Sequence, residues 1–170
     1  MIEIIDNLKP FFSDCYRRLG VREYARIARI SPPSASKILN GYAKAGLLMK
    51  QVDRRYHLFA ANRENRIFME LCRLHWRLTL ERTGLLPTLR HAFKLPVIIM
   101  YGSFSKSEIT PTSDIDIAVF SPSSPDVDLR HFEKKLGRQL HLMRFSSRDA
   151  VTNKQLLNNI LSGYVLVGEW

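Results

Sequence analysis

An α/β (α+β) chain of two unlike modules is what this sequence predicts, and three observations predict it. Residues 11–60 hold segments of helical period that end in two short strand-like runs. From Val97 onward, apolar runs of strand length alternate with short amphipathic segments. Charge follows the same division. The 170 residues carry a formal charge of +10, yet residues 1–95 hold 18 Lys/Arg against 8 Asp/Glu, and residues 96–170 hold 8 against 8. The whole excess lies in the first part, as it would if a nucleic-acid-binding module were joined to a neutral one.

Other classes drop out. Apolar runs stay under about ten residues, against the ~20 that span a bilayer. Met1–Asp6 is acidic and lacks the basic lead and small-residue cleavage site of a signal peptide, so a cytoplasmic protein without membrane contact is expected. Cys15 and Cys72 are too few and too far apart in sequence for a disulfide framework or zinc site, and read as buried, reduced thiols.

Phe11, Phe12, Cys15, Tyr16 and Leu19 recur at helical spacing, with Gly20 as a stop. Val21–Ala28 reads as a second, short helix with Tyr24, Ala25 and Ala28 inward. After the connection Arg29-Ile30-Ser31, Ser31 is an N-cap and Pro32 the first residue of a third helix. Ala35, Ile38, Leu39 and Tyr42 form its apolar face, while Ser34, Ser36, Lys37 and Asn40 point away and suit insertion into a major groove. Strands 48–52 and 56–60 flank the turn Asp53-Arg54-Arg55, which sets two cations at a hairpin tip within reach of phosphate or minor groove. Over residues ~10–60 this succession, with its Lys44-Ala45-Gly46-Leu47-Leu48 junction, resembles the winged helix-turn-helix domains of bacterial and archaeal transcription regulators. The resemblance implies DNA as a partner and a two-fold homodimer, which the following long helix would join.

That helix begins near Asn62, sets Ile67, Leu71, Leu74 and Leu78 down one side, and ends near Thr83-Gly84. Trp76 lies among Arg73, Arg77 and Arg82 and is either a dimer or nucleic-acid contact or packed against protein. His75 and His91 have no metal-ligand companions and read as structural. Leu85-Leu86-Pro87 breaks the chain before a short helix from Thr88 to Leu95. The expected division is a winged helix-turn-helix domain at 1–61, a helical linker at 62–87 and a second domain at 88–170.

In that second domain, strand Val97–Met100 ends in Tyr101-Gly102-Ser103, and after ten intervening residues Asp114-Ile115-Asp116 opens strand 117–120. Gly102 lets backbone approach a phosphate, and carboxylates two apart on one strand share a face. Such a pair repels unless a cation lies between, and oxygen ligands of this kind suit Mg²⁺. Gly102-Ser103, the spacer and Ser113-Asp114-Ile115-Asp116-Ile117 resemble the minimal nucleotidyltransferases of the DNA polymerase beta superfamily. The resemblance implies that Ser103 holds terminal phosphate oxygens and that Asp114 and Asp116 hold the metal. Lys106 falls where members often carry Arg, and Ser107 where many have Gly. Helices 129–136 and 153–162, strands 140–145 and 164–168 and the flexible loop Ser121–Pro125 complete a small mixed sheet with helices on one side.

One departure bears on chemistry. The family carries a third carboxylate within a run that here reads Gly137-Arg138-Gln139-Leu140-His141-Leu142, so His141 takes its place. The resemblance implies transfer of a nucleoside monophosphate from an NTP to an unidentified hydroxyl, with His141 able to take a proton. Alternatively the protein is a transcription regulator whose second domain only senses nucleotide or is silent, or an antitoxin-like member acting on a toxin partner.

Overall fold

The computed structural model describes residues 2–53 and 56–169. These divide into two units. One is the chain up to His75 together with Ser107–Pro111; the other is Trp76–Lys106 and the chain from Thr112 onward.

The first unit opens with helix α1, Ile2–Ser13. The sequence reading put this helix between residue 11 and Gly20, and the structure corrects it. Asp14 Oδ1 accepts the Tyr16 N–H at 3.0 Å, and the Cys15 N–H leaves the helical ladder to reach the Ile109 carbonyl at 2.8 Å. Leu19 and Gly20 therefore lie in strand β1, Arg18–Gly20. Phe11, Phe12, Cys15 and Leu19 are all buried, but by two elements whose apolar positions mimic one helical stripe.

Helix α2, Val21–Ala28, stops at Arg29, which adopts φ 55° and returns its N–H to the Ala25 carbonyl. Helix α3, Pro32–Lys44, starts as the sequence predicts, with Ser31 Oγ accepting the Ser34 N–H at 3.3 Å. Strands β2 (Leu48–Asp53) and β3 (Tyr56–Ala61) pair antiparallel with Asp53 opposite Tyr56. The sheet order is β1-β3-β2. Leu8, Phe11, Tyr24, Leu39 and Phe59 are fully buried in this unit, and the Tyr24 hydroxyl donates to the Asn7 carbonyl at 2.9 Å.

Helix α4 spans Arg66–Thr83 rather than starting at Asn62, because Asn65 Oδ1 accepts the N–H groups of Ile67 and Phe68 at 2.9 and 3.1 Å. Its buried stripe is Phe68, Cys72, Trp76 and Leu80, and Ile67 is 64% exposed. The stripe is turned one residue from the expected one, which lets the large rings of Phe68 and Trp76 leave water. His75 is buried beside Phe12, ring centroids 5.3 Å apart, a structural role as expected.

In the second unit, Trp76 meets Phe104 edge to face at 4.7 Å. It is a core residue, not an exposed stacking or dimer contact. Helix α5 runs Leu85–Ala92, three residues earlier than expected. Gly84 turns the chain at φ 89°, and Pro87 falls in the first turn, where its missing N–H would have had no helical partner. Strands β4 (Val97–Tyr101), β5 (Ile115–Phe120), β6 (Leu140–Phe145) and β7 (Tyr164–Val167) form a sheet of order β6-β5-β4-β7. The one-turn helix α6, Ser103–Lys106, follows β4. Only β5 and β6 are parallel, and helix α7, Arg130–Leu136, supplies their crossover.

Ile99, Tyr101, Ala118 and Phe120 pack one sheet face against Val151 and against Ile160 of helix α8, Lys154–Leu161. On the other face Ile117 shares a small void with Leu85 and Leu89 of α5. Helices thus flank both faces, not one, because β4 and β5 are apolar on both. The chain is a mixed α/β protein with two small sheets, the predicted class. Among the described residues no helix is long and apolar enough to cross a membrane.

Gly163 joins α8 to β7 against β4, where an added Cβ would stand 2.6 Å from the Met100 carbonyl oxygen and 2.8 Å from that of Ile160. Gly163→Ala should cost about 1–3 kcal/mol by overpacking against backbone. Urea unfolding measures it, and an unchanged midpoint would contradict the packing described.

Candidate functional site

Strand register assembles the site. Tyr101 ends β4 opposite Asp116 of β5, and Asp116 in turn lies beside His141 of β6. Three residues from distant parts of the chain therefore stand in one row across three strands. Asp116 belongs to β5, whereas Asp114 precedes the strand by one residue, so the two do not share a strand as the sequence implied. Both still reach the same imidazole. His141 Nδ1 lies 3.4 Å from Asp116 Oδ1, and Nε2 lies 3.8 Å from Asp114 Oδ2.

Gly102 follows at the end of β4 with φ 68°. A Cβ there would fall 2.5 Å from Asp116 Oδ2, so this backbone and this carboxylate occupy space only glycine leaves. Ser103 begins α6 and is half-buried; Lys106 ends it, exposed. Ser105 Oγ closes the turn on the Gly102 carbonyl at 2.9 Å. Ser107 also has a left-handed backbone, φ 57°, the conformation for which glycine is the usual residue.

Burial raises the Asp116 carboxyl above the ordinary carboxylate range; His141 draws it back and Asp114 pushes it further up. Burial also raises the Tyr101 phenol, with Asp116 adding to the rise. Asp116 is the single position of β5 not fully buried, and His141 is 55% exposed on the wall of an open cleft of about 400 Å³ bounded by Leu129, Met143 and Arg144.

Arg138 holds the row in place, a role the sequence reading did not give it. Its guanidinium donates to the Ser113 carbonyl at 2.9 Å and lies over the rings of Phe104 and Trp76 at 5.5 and 5.7 Å. One side chain thus braces the residue before Asp114 and the residue after Ser103. The available signal was the Gly137-Arg138 pair two residues before β6. The loop expected to be flexible is anchored at its start: Ser121 Oγ donates to the Lys94 carbonyl at 2.8 Å, and Ser123 Oγ accepts the Lys94 N–H at 2.9 Å.

The residues assigned to DNA stand in the other unit. Ser34, Lys37 and Asn40 are exposed on α3 and Ser36 is half-buried there. Asn40 Nδ2 donates to the Ser36 carbonyl at 2.8 Å, and Lys50 Nζ of β2 donates to Asn40 Oδ1 at 2.9 Å, tying helix to hairpin. Ser34 and Lys37 border an open cleft of about 580 Å³ with Glu3, Asn7 and Tyr42. Arg54 and Arg55 lie outside the described residues.

Residues 84–158 are similar to the nucleotidyltransferase domain, whose family model they match. This segment contains the whole row of Gly102, Asp114, Asp116 and His141. Among curated proteins none matches the chain.

A carboxyl raised in the folded state makes folding favour its protonated form. The resulting penalty is present above the ordinary carboxylate pKa and is relieved as pH falls through the folded value. Asp116→Asn, without added metal, should therefore melt at or above the parent protein at neutral pH, with the advantage vanishing as pH drops into the carboxylate range. Calorimetric melting across pH checks this; a variant well below the parent at neutral pH would show that the carboxylate is stabilising instead.

Proposed function

We propose that the protein binds DNA through its first unit and, in its second, transfers a nucleoside monophosphate from a nucleoside triphosphate to a hydroxyl acceptor with Mg²⁺. The observation that carries the second half is the row Gly102, Asp116, His141 with Asp114 beside it, inside the segment similar to nucleotidyltransferase domains. The donors fit the metal in one way. Among the described residues no three His, Cys, Asp or Glu side chains converge on a point, so a cation would rest on Asp114 and Asp116 and take its other ligands from phosphate and water. When bound, Mg²⁺ would neutralise phosphate charge as pyrophosphate leaves.

The chain's own groups do the rest. Gly102 lets the triphosphate approach the backbone, Ser103 offers a hydroxyl donor and Lys106 a mobile cation to terminal phosphate oxygens. His141, exposed and flanked by two carboxylates, is placed to take the proton of the attacking hydroxyl. The acceptor is a small molecule, a nucleic-acid end or a side chain of a partner protein such as a toxin.

Support for DNA binding is the net charge of residues 1–95, the exposed polar face of α3 and the α3–β2 tie through Asn40 and Lys50. This order of three helices and an antiparallel hairpin supports a winged helix-turn-helix reading, a fold that commonly reads DNA as a homodimer. A second reading is favoured by one feature: a protonated His141 could itself neutralise the carboxylate pair and leave a domain that senses nucleotide without turning it over.

Titration of the four ribonucleoside triphosphates with and without Mg²⁺, followed by assay for pyrophosphate release, separates these readings. Metal-dependent binding with release supports transfer; binding without release supports the sensor; no binding removes both. If transfer occurs, His141→Ala should lower turnover by about 100-fold while leaving triphosphate affinity nearly unchanged. Equal turnover would take the proton-accepting role from His141.

Lys37→Ala should weaken binding to duplex DNA of any sequence and reduce the slope of log affinity against log salt by about 1. An unchanged slope would take α3 off the phosphate backbone.

A further inference from the structure

The row of Tyr101, Asp116 and His141 ends at an open edge. In the sheet order β6-β5-β4-β7, β6 has a neighbour on one side only. Parallel pairing fixes which of its backbone groups face that neighbour. The carbonyls of Gln139 and Phe145 accept the N–H groups of Ile115 and Ser121 at 2.9 Å each, so His141 and Met143, in phase with them, turn their backbone groups toward β5. Leu140, Leu142 and Arg144 turn theirs outward. Glu133 Oε1 caps the first of these, accepting the Leu140 N–H at 2.9 Å. Beyond it, among the described residues, nothing pairs with the backbone N–H and C=O of Leu142 or Arg144.

Proteins usually blunt such edges. The opposite edge of this sheet is blunted: β7 has four residues, and its register against β4 slips between Ile98 and Ile99. β6 has six residues, no proline and an unbroken register. Along it runs the open cleft of about 400 Å³, lined by β6 from Leu140 to Arg144 and by Asp126, Val127 and Leu129 of the segment before α7. Arg144 tethers that segment by its side chain, donating to the Pro125 carbonyl at 2.8 Å and lying 3.5 Å from Asp126 Oδ1, so the backbone edge itself is left unpaired. On the face of the sheet that carries Asp116, this edge presents His141 and then Met143, which is 38% exposed and whose sulfur accepts the Tyr101 hydroxyl at 3.3 Å.

We propose that the hydroxyl acceptor is a Ser, Thr or Tyr side chain in an extended segment of another protein, which adds to the sheet as a strand on the free edge of β6. The inference rests on the nucleotidyl transfer proposed above and names its acceptor. An incoming chain that offers N–H and C=O groups at strand spacing satisfies this edge, as neither a small alcohol nor a nucleic acid does. Laid antiparallel, its residue opposite His141 forms a non-hydrogen-bonded pair, the closer of the two kinds, with about 4.5 Å between Cα atoms. That residue shares the face of His141 and Asp116 and extends their row to a fourth strand. The residue opposite Met143, two positions earlier in the incoming chain, meets an apolar surface and takes an apolar side chain. His141 accepts the hydroxyl proton, the freed oxygen bonds to the α-phosphorus of the triphosphate, and the bond from that phosphorus to the α,β-bridging oxygen breaks with its electron pair on pyrophosphate. The product is a nucleoside monophosphate ester of the side chain. A second copy of this chain paired through its own β6 supplies no such group, because Leu140–Phe145 contains no hydroxyl.

The full chain, with Mg²⁺ and each ribonucleoside triphosphate in turn, is given acceptors of different class: short peptide pools with a fixed central Ser, Thr or Tyr, Val two positions before it and the other positions randomised; single-stranded DNA and RNA oligonucleotides with free 3′ hydroxyls; and glycerol. The expected result by mass spectrometry is a nucleoside monophosphate on the fixed hydroxyl of the peptides. Without nucleotide, the best peptide should slow hydrogen exchange at the amides of Leu142 and Arg144. Methylating the peptide nitrogen of the residue before the hydroxyl removes its donor to the Leu142 carbonyl and should lower modification by about tenfold. Arg144→Pro loses an outward N–H that Arg144→Ala keeps, and should modify the peptide less than Arg144→Ala does. The methylated peptide with the parent protein decides the matter if the proline variant fails to fold. Transfer to an oligonucleotide or to glycerol with no peptide modified would overturn the proposal and leave nucleotidyl transfer standing, as would modification of the methylated peptide at the parent rate. No transfer to any acceptor would overturn the transfer reading and this proposal with it.

Discussion

The closest constraint in the second unit is the approach of the Gly102 backbone to the Asp116 carboxylate. A methyl group at position 102 would stand 2.5 Å from Asp116 Oδ2. The glycine, the positive φ and the antiparallel register that sets Tyr101 opposite Asp116 are thus one fact seen three ways. Shift that register by one residue and Asp116, which now shares a face with Ala118 and Phe120, would turn to the opposite face, where Ile117 meets Leu85 and Leu89. The apolar alternation of β4 and β5 therefore holds the Gly102 turn and the carboxylate together. The parallel pairing of β5 with β6 adds His141 to the same row without any further device.

Electrostatics at that row are left unbalanced. Burial and Asp114 both disfavour charge on Asp116, and His141 offsets them only in part, at 3.4 and 3.8 Å from the two carboxylates and with 55% of its side chain in water. A structural ion pair would be expected to close to hydrogen-bond distance and settle the balance. Here the stronger geometry is spent one shell outward, where Arg138 fixes the Ser113 carbonyl at 2.9 Å while lying over Phe104 and Trp76. The frame is rigid and the charges inside it remain open to a partner.

What was legible in the sequence was whatever depends on local chemistry. The Ser31 cap, the start of α3, the hairpin and the four strands of the second sheet all follow from periodicity and turn residues, and the structure reproduces them within a residue or two. Gly102, Asp114, Asp116 and His141 were singled out from spacing and resemblance, and the structure brings them together. The misses are tertiary. No local pattern distinguishes one helical stripe from a helix end plus a strand, which is how Leu19 was assigned to the wrong element. Packing of Trp76 was one of the readings left open, and the arginines flanking it give no sign of its partner, Phe104. Arg138 acquires its role only when α7 returns the chain beside Ser113.

Ser107 and His141 stand where the resemblance to minimal nucleotidyltransferases leads one to expect a glycine and a carboxylate, and the structure treats them differently. At Ser107 the backbone keeps the left-handed conformation a glycine would serve, at a cost of about 1 kcal/mol for a residue with a Cβ. The side chain is fully buried, so surrounding packing offsets the strain and the turn survives the substitution. At His141 the backbone is ordinary strand and the change is purely chemical: a group that can carry a positive charge replaces one that carries a negative charge, in register with Asp116. The left-handed turn is therefore kept at the first position, while a carboxylate gives way to an imidazole at the second. If the proposed Mg²⁺ were bound there, an imidazole in place of a carboxylate would weaken its hold more than it would change the shape around it.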